Sequence, residues 1–210
     1  MSTAIYTALV GNYDKFIEPL YHNINCDYHL FTDANIKSKI YTVHKIKRDG
    51  IEAVKQARQI KILPHIFLPE YEFTVWHDAN ITQSRSLLNL MRRDIPDFRI
   101  MSHIRRDCVY EEFAACSRGK KDDVKRMLAQ MLRYNESGLP RKSGMVSSGI
   151  MLRKNNKIVN DFCNKWWAEV KKGSCRDQLS FNYVAYNHEL KIDIVNYYEL
   201  IGYFIRNRHL

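Results

Sequence analysis

No apolar run in this chain is long enough to cross a bilayer. Runs such as residues 62–68 fall far short of the roughly 20 residues that a membrane helix needs. Nor does the chain open on a basic region followed by an apolar stretch, so neither a leader nor a span is expected. The cytoplasm is the expected location, with any membrane contact peripheral. Cysteine gives as little: Cys26, Cys108, Cys116, Cys163 and Cys175 form an odd set with no pair at two-residue spacing. That pattern signals neither a disulfide framework nor a zinc knuckle and fits free thiols. Helix-turn-helix, zinc and aromatic RNA-binding signatures are missing as well.

What the chain does have is an ordinary globular composition and an excess of basic charge. A length of 210 residues, 45% hydrophobic and 27% charged, can bury a core of its own, so one domain over 1–210 is expected. The net charge of +10 calls for anionic partners: nucleic acid, a membrane surface or a phosphorylated small molecule. The bases lie in small groups, among them Lys45, Lys47 and Arg48, then Lys55, Arg58 and Lys61, then Arg105, Arg106, Arg118, Lys120 and Lys121, then Arg141, Lys142, Arg153 and Lys154. Such dispersal argues against a disordered basic arm and leaves room for a charged cleft assembled from several loops.

Hydrophobic periodicity points to an α/β domain. Residues 4–10 form a short apolar run closed by Gly11-Asn12, which reads as a buried first strand and its turn. Residues 28–32, closed by Asp33, and 39–44 read as further strands. Over 50–63 the apolar residues take helical spacing, with Pro64 as a stop. A strand at 73–77 follows. Strands alternating with helices over the first hundred residues predict a mostly parallel central sheet flanked by helices, with ligands at the strands' carboxyl ends. Beyond it, 84–91 reads as helical, 99–103 as a strand and 110–133 as one or two helices with a basic polar face. That face is either a solvated helix pair or one wall of an acceptor site. Residues 159–170 form an amphipathic helix whose Trp166 and Trp167 read as core.

The segment Phe73-Thr-Val-Trp-His-Asp-Ala-Asn-Ile81 carries the sharpest chemistry. Asp78 and Asn80 stand at i and i+2 on an extended backbone, so their oxygens can converge on one hard cation such as Mg²⁺ or Mn²⁺. Plain turn chemistry explains the same residues. Gly11-Asn12-Tyr13 and Asp33 fall at other strand ends, and that convergence raises the ligand reading to parity with the turn. Asp177, opening the apolar stretch 176–183, is either a helix cap or a site carboxylate.

In order and spacing, Tyr6-Thr-Ala-Leu-Val-Gly-Asn-Tyr13, Arg58, Leu68-Pro69, His77-Asp78-Ala79-Asn80, Ser148-Gly149-Ile-Met-Leu152, and Asp177-Gln178 with Asn182 resemble a nucleotide-sugar-dependent glycosyltransferase of the GT-A fold. The chain is similar to glycosyltransferase family 8 and, more closely, to the glycosyltransferase-like domain of unknown function 616. The second likeness includes Tyr110-Glu-Glu-Phe113, Trp166-Trp167 and Arg176-Asp-Gln-Leu-Ser-Phe181.

The resemblance implies a Rossmann-like, GT-A-like sheet with a donor-binding part over about 1–100 and an acceptor side over about 101–210. It implies a metal-assisted transfer from a nucleotide sugar, with a UDP-sugar the expected donor, to a glycan or other acceptor. Asp78 and Asn80 would hold the divalent cation, Mn²⁺ or Mg²⁺, with His209 completing the site. Asn80 departs from the family's acidic residue and brings no charge, so Arg58 and Lys61 would share in neutralising the diphosphate. Val10, Gly11, Asn12 and Tyr13 would seat the nucleobase, and Asp33 would bond base or ribose. Ser148-Gly149 would let backbone approach the donor sugar, with Asp177 and Gln178 beneath it as catalytic residues. The likeness leans toward retention of configuration; for inversion, Asp177, Glu111 or Glu112 could serve as base. The basic wall between Arg105 and Lys142 would suit an anionic acceptor in polysaccharide biosynthesis. An inactive relative of these enzymes is the first rival reading, a basic nucleic-acid-binding protein the second.

Overall fold

The structure, a computed structural model, describes residues 1–48, 50–91 and 96–208. Its strands are β1 (Thr3–Leu9), β2 (Asp27–Thr32), β3 (Thr42–Lys45), β4 (Phe73–His77), β5 (Ile81–Gln83), β6 (Phe98–Ser102), β7 (Val146–Lys154), β8 (Ile192–Val195) and β9 (Phe204–Arg206). The helices are α1 (Ala53–Ile62), α2 (Pro64–Phe67), α3 (Val109–Arg118), α4 (Val124–Glu136), α5 (Lys157–Lys172), α6 (Gln178–Tyr186) and α7 (Tyr197–Ile201). Seven strands form one sheet in the order β3-β2-β1-β4-β7-β6-β8, in which β7 alone runs against its neighbours. The expected mostly parallel α/β architecture is what the chain adopts. β5 and β9 pair antiparallel as a small second sheet.

Helices or loops cover both faces of the large sheet, which is why β1 is buried at every position and mostly apolar instead of alternating. Ala4, Tyr6, Ala8 and Val10 pack on one side with Ile60, Phe162, Trp166 and Phe181 from the helices. Ile5 and Leu9, pointing the other way by the two-residue period of a strand, pack with Leu87, Leu90, Leu200 and Phe204. Each leucine, isoleucine, valine or phenylalanine among them contributes about 1.5–3 kcal/mol by leaving water. Arg153, one of the dispersed bases, turns out to be core: it is fully buried on β7 and donates to Ile62 O (3.3 Å) and Lys61 O (2.7 Å) and to the Tyr6 hydroxyl. It thereby satisfies carbonyls that the carboxyl end of α1 leaves unpaired and fixes the backbone of Lys61.

The helix expected at 84–91 is absent apart from one 3₁₀ turn at Leu88–Leu90. The backbone donors of Ser84 and Arg85 go to Tyr203 O and that of Leu87 to the Asn23 side chain, and the local bonds that follow, Leu90 N to Leu87 O and Met91 N to Leu88 O, span three residues and close a 3₁₀ turn instead of an α-helix. Buried Leu87 and Leu90 still produce a three-residue spacing. The region 110–133 resolves into two helices, α3 and α4, the latter capped by Asp123 accepting from Arg126 N at 2.7 Å. The strand expected from residue 39 begins at Thr42. All five cysteines are free thiols. Among the described residues no helix is long and apolar enough to cross a membrane.

Candidate active site

The carboxyl ends of β1 and β4, together with the start of the reversed β7, open into a cleft of about 520 Å³. Two local devices shape its floor. At the first, β4 ends at His77 and the chain turns tightly, with Ile81 N donating to Asp78 O (2.8 Å) and Asp78 N to Gly149 O (2.8 Å). At the second, the pairing of β7 with β6 jumps from Met151–Ile100 to Ser147–Met101, so Ser148 and Gly149 bulge out of the ladder toward the cleft.

Four charged side chains meet there. Arg58 and Lys61, three residues apart, share one face of α1. Lys61, only 1% exposed, places Nζ 2.8 Å from Asp177 Oδ2, 3.1 Å from Asp78 Oδ1 and 3.0 Å from Ser148 Oγ. Arg58 Nε lies 3.4 Å from Asp177 Oδ1 as an ion pair without hydrogen-bond geometry, and its Nη1 is 3.9 Å from Asp78 Oδ1. Ser148 Oγ donates to Asp177 Oδ2 (2.8 Å), and Trp76 Nε1 donates to Asp78 Oδ1 (2.9 Å).

Asp177 precedes α6 yet caps no helix N–H with its side chain, so the bland capping role is not the one it plays. Burial alone would raise its carboxyl. The Lys61 and Arg58 charges, with hydrogen bonds from Lys61 and Ser148, outweigh that and hold it well below the usual carboxylate range. Burial works against the Arg58 charge too, but Asp177 and Asp78 more than offset it, and the guanidinium is held above its ordinary value.

Lys61, Arg58 and Trp76 all meet Asp78 at Oδ1, while Oδ2 faces Gly149. A Cβ at position 149 would lie 3.5 Å from that oxygen and 3.0 Å from Ile81 Cδ1, so only glycine leaves this space open. Asn80 lies at the same turn. Its amide nitrogen faces Asn207 O at 3.4 Å and its backbone oxygen accepts from Asn207 N at 2.7 Å, which draws the chain beyond β9 onto the turn. The oxygen is the ligand atom Asn80 would offer. An open carboxylate oxygen beside an amide oxygen fits one hard cation. Among the described residues no group of three His, Cys, Asp or Glu side chains assembles around a metal position. His209 lies outside the described residues.

Of the residues singled out in the sequence, Val10, Tyr13, Arg58, Lys61, Asp78, Asn80, Ser148, Gly149, Asp177 and Gln178 all line this one cleft. Gly11, Asn12 and Asp33 do not. Asp33 accepts from Gly11 N at 3.0 and 3.2 Å and pairs with Arg48 at 3.4 Å, so its carboxylate holds the loop. That loop needs left-handed backbone at Gly11 (φ +80°), where a Cβ would also sit 2.7 Å from Ala53 Cβ. Gln178 donates its amide to Val146 O (2.8 Å).

The expected basic wall is thinner than its sequence suggests. Only Arg106 and Lys121 of that set line the cleft, and Arg106 is ion-paired to Glu112. Sequence reasoning gave no separate role to Trp76, His103, Arg176 or Arg206, which also line it. Trp76 and Arg176 stood beside quoted motif residues, and that adjacency was the available signal.

Residues 6–200 match the family model described as TOD1/MUCI70, glycosyltransferase-like domain. Among solved structures, the bifunctional glycosyltransferase WbbM in its apo form superposes with a TM-score of 0.56 at 14% identity, over 92% of this chain and 38% of that one. The chain thus spans well under half the length of WbbM. A glycosyltransferase involved in glycosylation of the major capsid of PBCV-1 gives a TM-score of 0.49 at 8% identity, over 94% of this chain and 82% of that one. No curated protein sequence matches. The fold is GT-A-like, and the chain belongs to the TOD1/MUCI70 family of glycosyltransferase-like domains.

Proposed function

We propose that this chain transfers a sugar from a uridine diphosphate sugar to a glycan acceptor. The observation that carries the reading is the set Arg58, Lys61, Asp78, Asp177 and Ser148, gathered beside Gly149 at the carboxyl ends of the strands. Tyr13, 60% exposed at the cleft, offers a face on which a base can stack. Arg58 and Arg206 bind the diphosphate, while Lys61 keeps Asp177 ionised and holds both Asp78 and Asp177 in place. Asp78 and Asn80 would hold the divalent cation, Mn²⁺ or Mg²⁺, which when bound supplies charge stabilisation for the leaving diphosphate.

Asp177 is a poor general base, because a base works best with a pKa near the operating pH and this carboxyl is held far below it. That supports retention, toward which the likeness to family 8 also leans. The leaving phosphate accepts the acceptor's proton, and the ionised Asp177 stabilises the positive charge that develops on the sugar. Polysaccharide assembly in the cytoplasm is the setting this reading implies.

UDP with Mn²⁺ tests the donor site. At a hundredfold excess over Kd it should add about 2.7 kcal/mol, a rise in Tm of roughly 5–11 °C for a domain of this size. Asp78→Ala should abolish the shift. An inactive relative could keep it, so a shift without turnover on any nucleotide sugar favours that reading, which the uncharged Asn80 motivates.

A further inference from the structure

The cleft wall formed by α3 and the segments beside it contains cations that the donor site does not use. Glu112 on that wall is ion-paired with Arg106. Asp122 accepts Ser174 Oγ (2.6 Å) and Cys175 N (2.8 Å) and lies 3.7 Å from Arg126. Asp177 belongs to Lys61 and Arg58. Each of these three carboxylates is therefore committed elsewhere, and among the described residues neither Arg176 nor Lys121 forms an ion pair. Arg176 Nε is moreover buried with no hydrogen-bond partner. A buried donor left unpaired costs about 1–3 kcal/mol, more when it is charged, so its presence in a cleft calls for a ligand. Lys121 reaches the same wall because its backbone N is tied to Cys116 O (3.0 Å), and the Cys116 thiol lies beside Arg176.

We propose that Arg176 and Lys121 bind an anionic group, a carboxylate or a phosphate ester, carried by the acceptor glycan. The proposal rests on the donor reading above and names its acceptor class. A guanidinium presents a planar fork that matches such an anion, and a mobile lysine at the rim adds a point charge. The acceptor, rather than the donor, is the source because the donor's diphosphate is already met by Arg58 and Arg206.

The test titrates methyl β-D-glucuronide, methyl β-D-glucoside and inorganic phosphate into the protein saturated with UDP and Mn²⁺, followed by NMR. Wild type should bind glucuronide saturably and at least tenfold more tightly than glucoside. Arg176→Gln with Lys121→Gln should remove that preference while leaving the UDP-induced Tm shift unchanged, which shows that the fold and the donor site survive. Absence of saturable glucuronide or phosphate binding to wild type overturns the proposal, as does equal binding by the double variant. Were the variant instead to lose affinity for UDP-glucuronate relative to UDP-glucose, with glucuronide binding intact, the anion would belong to the donor and the proposal would fall. If UDP does not bind at all, the donor reading fails separately, and the same titrations without UDP still compare wild type with variant.

Discussion

Replacing Lys61 by methionine should expose how far the active site is held together by charge. Lys61 Nζ and Asp177 Oδ2 are 2.8 Å apart, with the two side chains 1% and 3% exposed. At an effective dielectric of about 20 their gross attraction is about 6 kcal/mol. Desolvation offsets much of that, but deleting one member strands the other: Asp177 would keep only Ser148 and the more distant Arg58. Breaking a buried pair in this way costs about 3–5 kcal/mol, a large part of the roughly 5–15 kcal/mol that holds a domain folded. The expected fall in Tm is roughly 6–20 °C.

Adding Asp177→Asn should restore a neutral pair, Arg58 with Asp78, and recover about 1–3 kcal/mol relative to the sum of the two single changes. Urea unfolding followed by the fluorescence of buried Trp76 and Trp166 measures all four proteins. A loss under about 1 kcal/mol for Lys61→Met, or strict additivity in the double variant, would refute the coupled network.

Two further outcomes follow from the same geometry. Gly149→Ala brings a methyl within 3.0 Å of Ile81 Cδ1 and 3.5 Å of Asp78 Oδ2; it should leave the fold intact within about 1–3 kcal/mol yet abolish the Mn²⁺-dependent UDP shift, as calorimetry would record. Asp177 has a depressed folded pKa, so the stability it contributes is fully present above its unfolded value of about 3.9 and is lost as pH falls through the lower folded one. The stability difference between wild type and Asp177→Asn should therefore be constant from about pH 5 to 7 and shrink in acid; a constant difference down to pH 2 would contradict the assignment.

The parts of this molecule legible in the sequence are those where one residue period decides the outcome. β1 and β4 announced themselves because burial on both faces forces apolar runs, and Asp78 stood out because a strand ends on it. Helical spacing put Arg58 and Lys61 on the polar faces of a helix, and the likeness to nucleotide-sugar glycosyltransferases gave them a place at the diphosphate. Other features depend on distant partners. Arg153 reads as one more surface base until β7 lies against α1 and the helix carbonyls come within its reach. Residues 84–91 carry helical spacing, but Tyr203 and Asn23 take their backbone donors. Asp33 sits at a strand end like Asp78, and only the path of the Gly11 loop turns it from a ligand candidate into a loop anchor.

The central claim is that this cleft activates a nucleotide sugar, and a screen for UDP release tests it most directly. Wild-type protein is incubated with Mn²⁺ and each common UDP-, GDP- and CDP-sugar, with and without glycan acceptors, alongside Asp78→Ala. The account expects UDP release from at least one UDP-sugar, raised by acceptor and lost in the variant. No release from any donor, together with no nucleotide-induced stabilisation under any divalent cation, would contradict it.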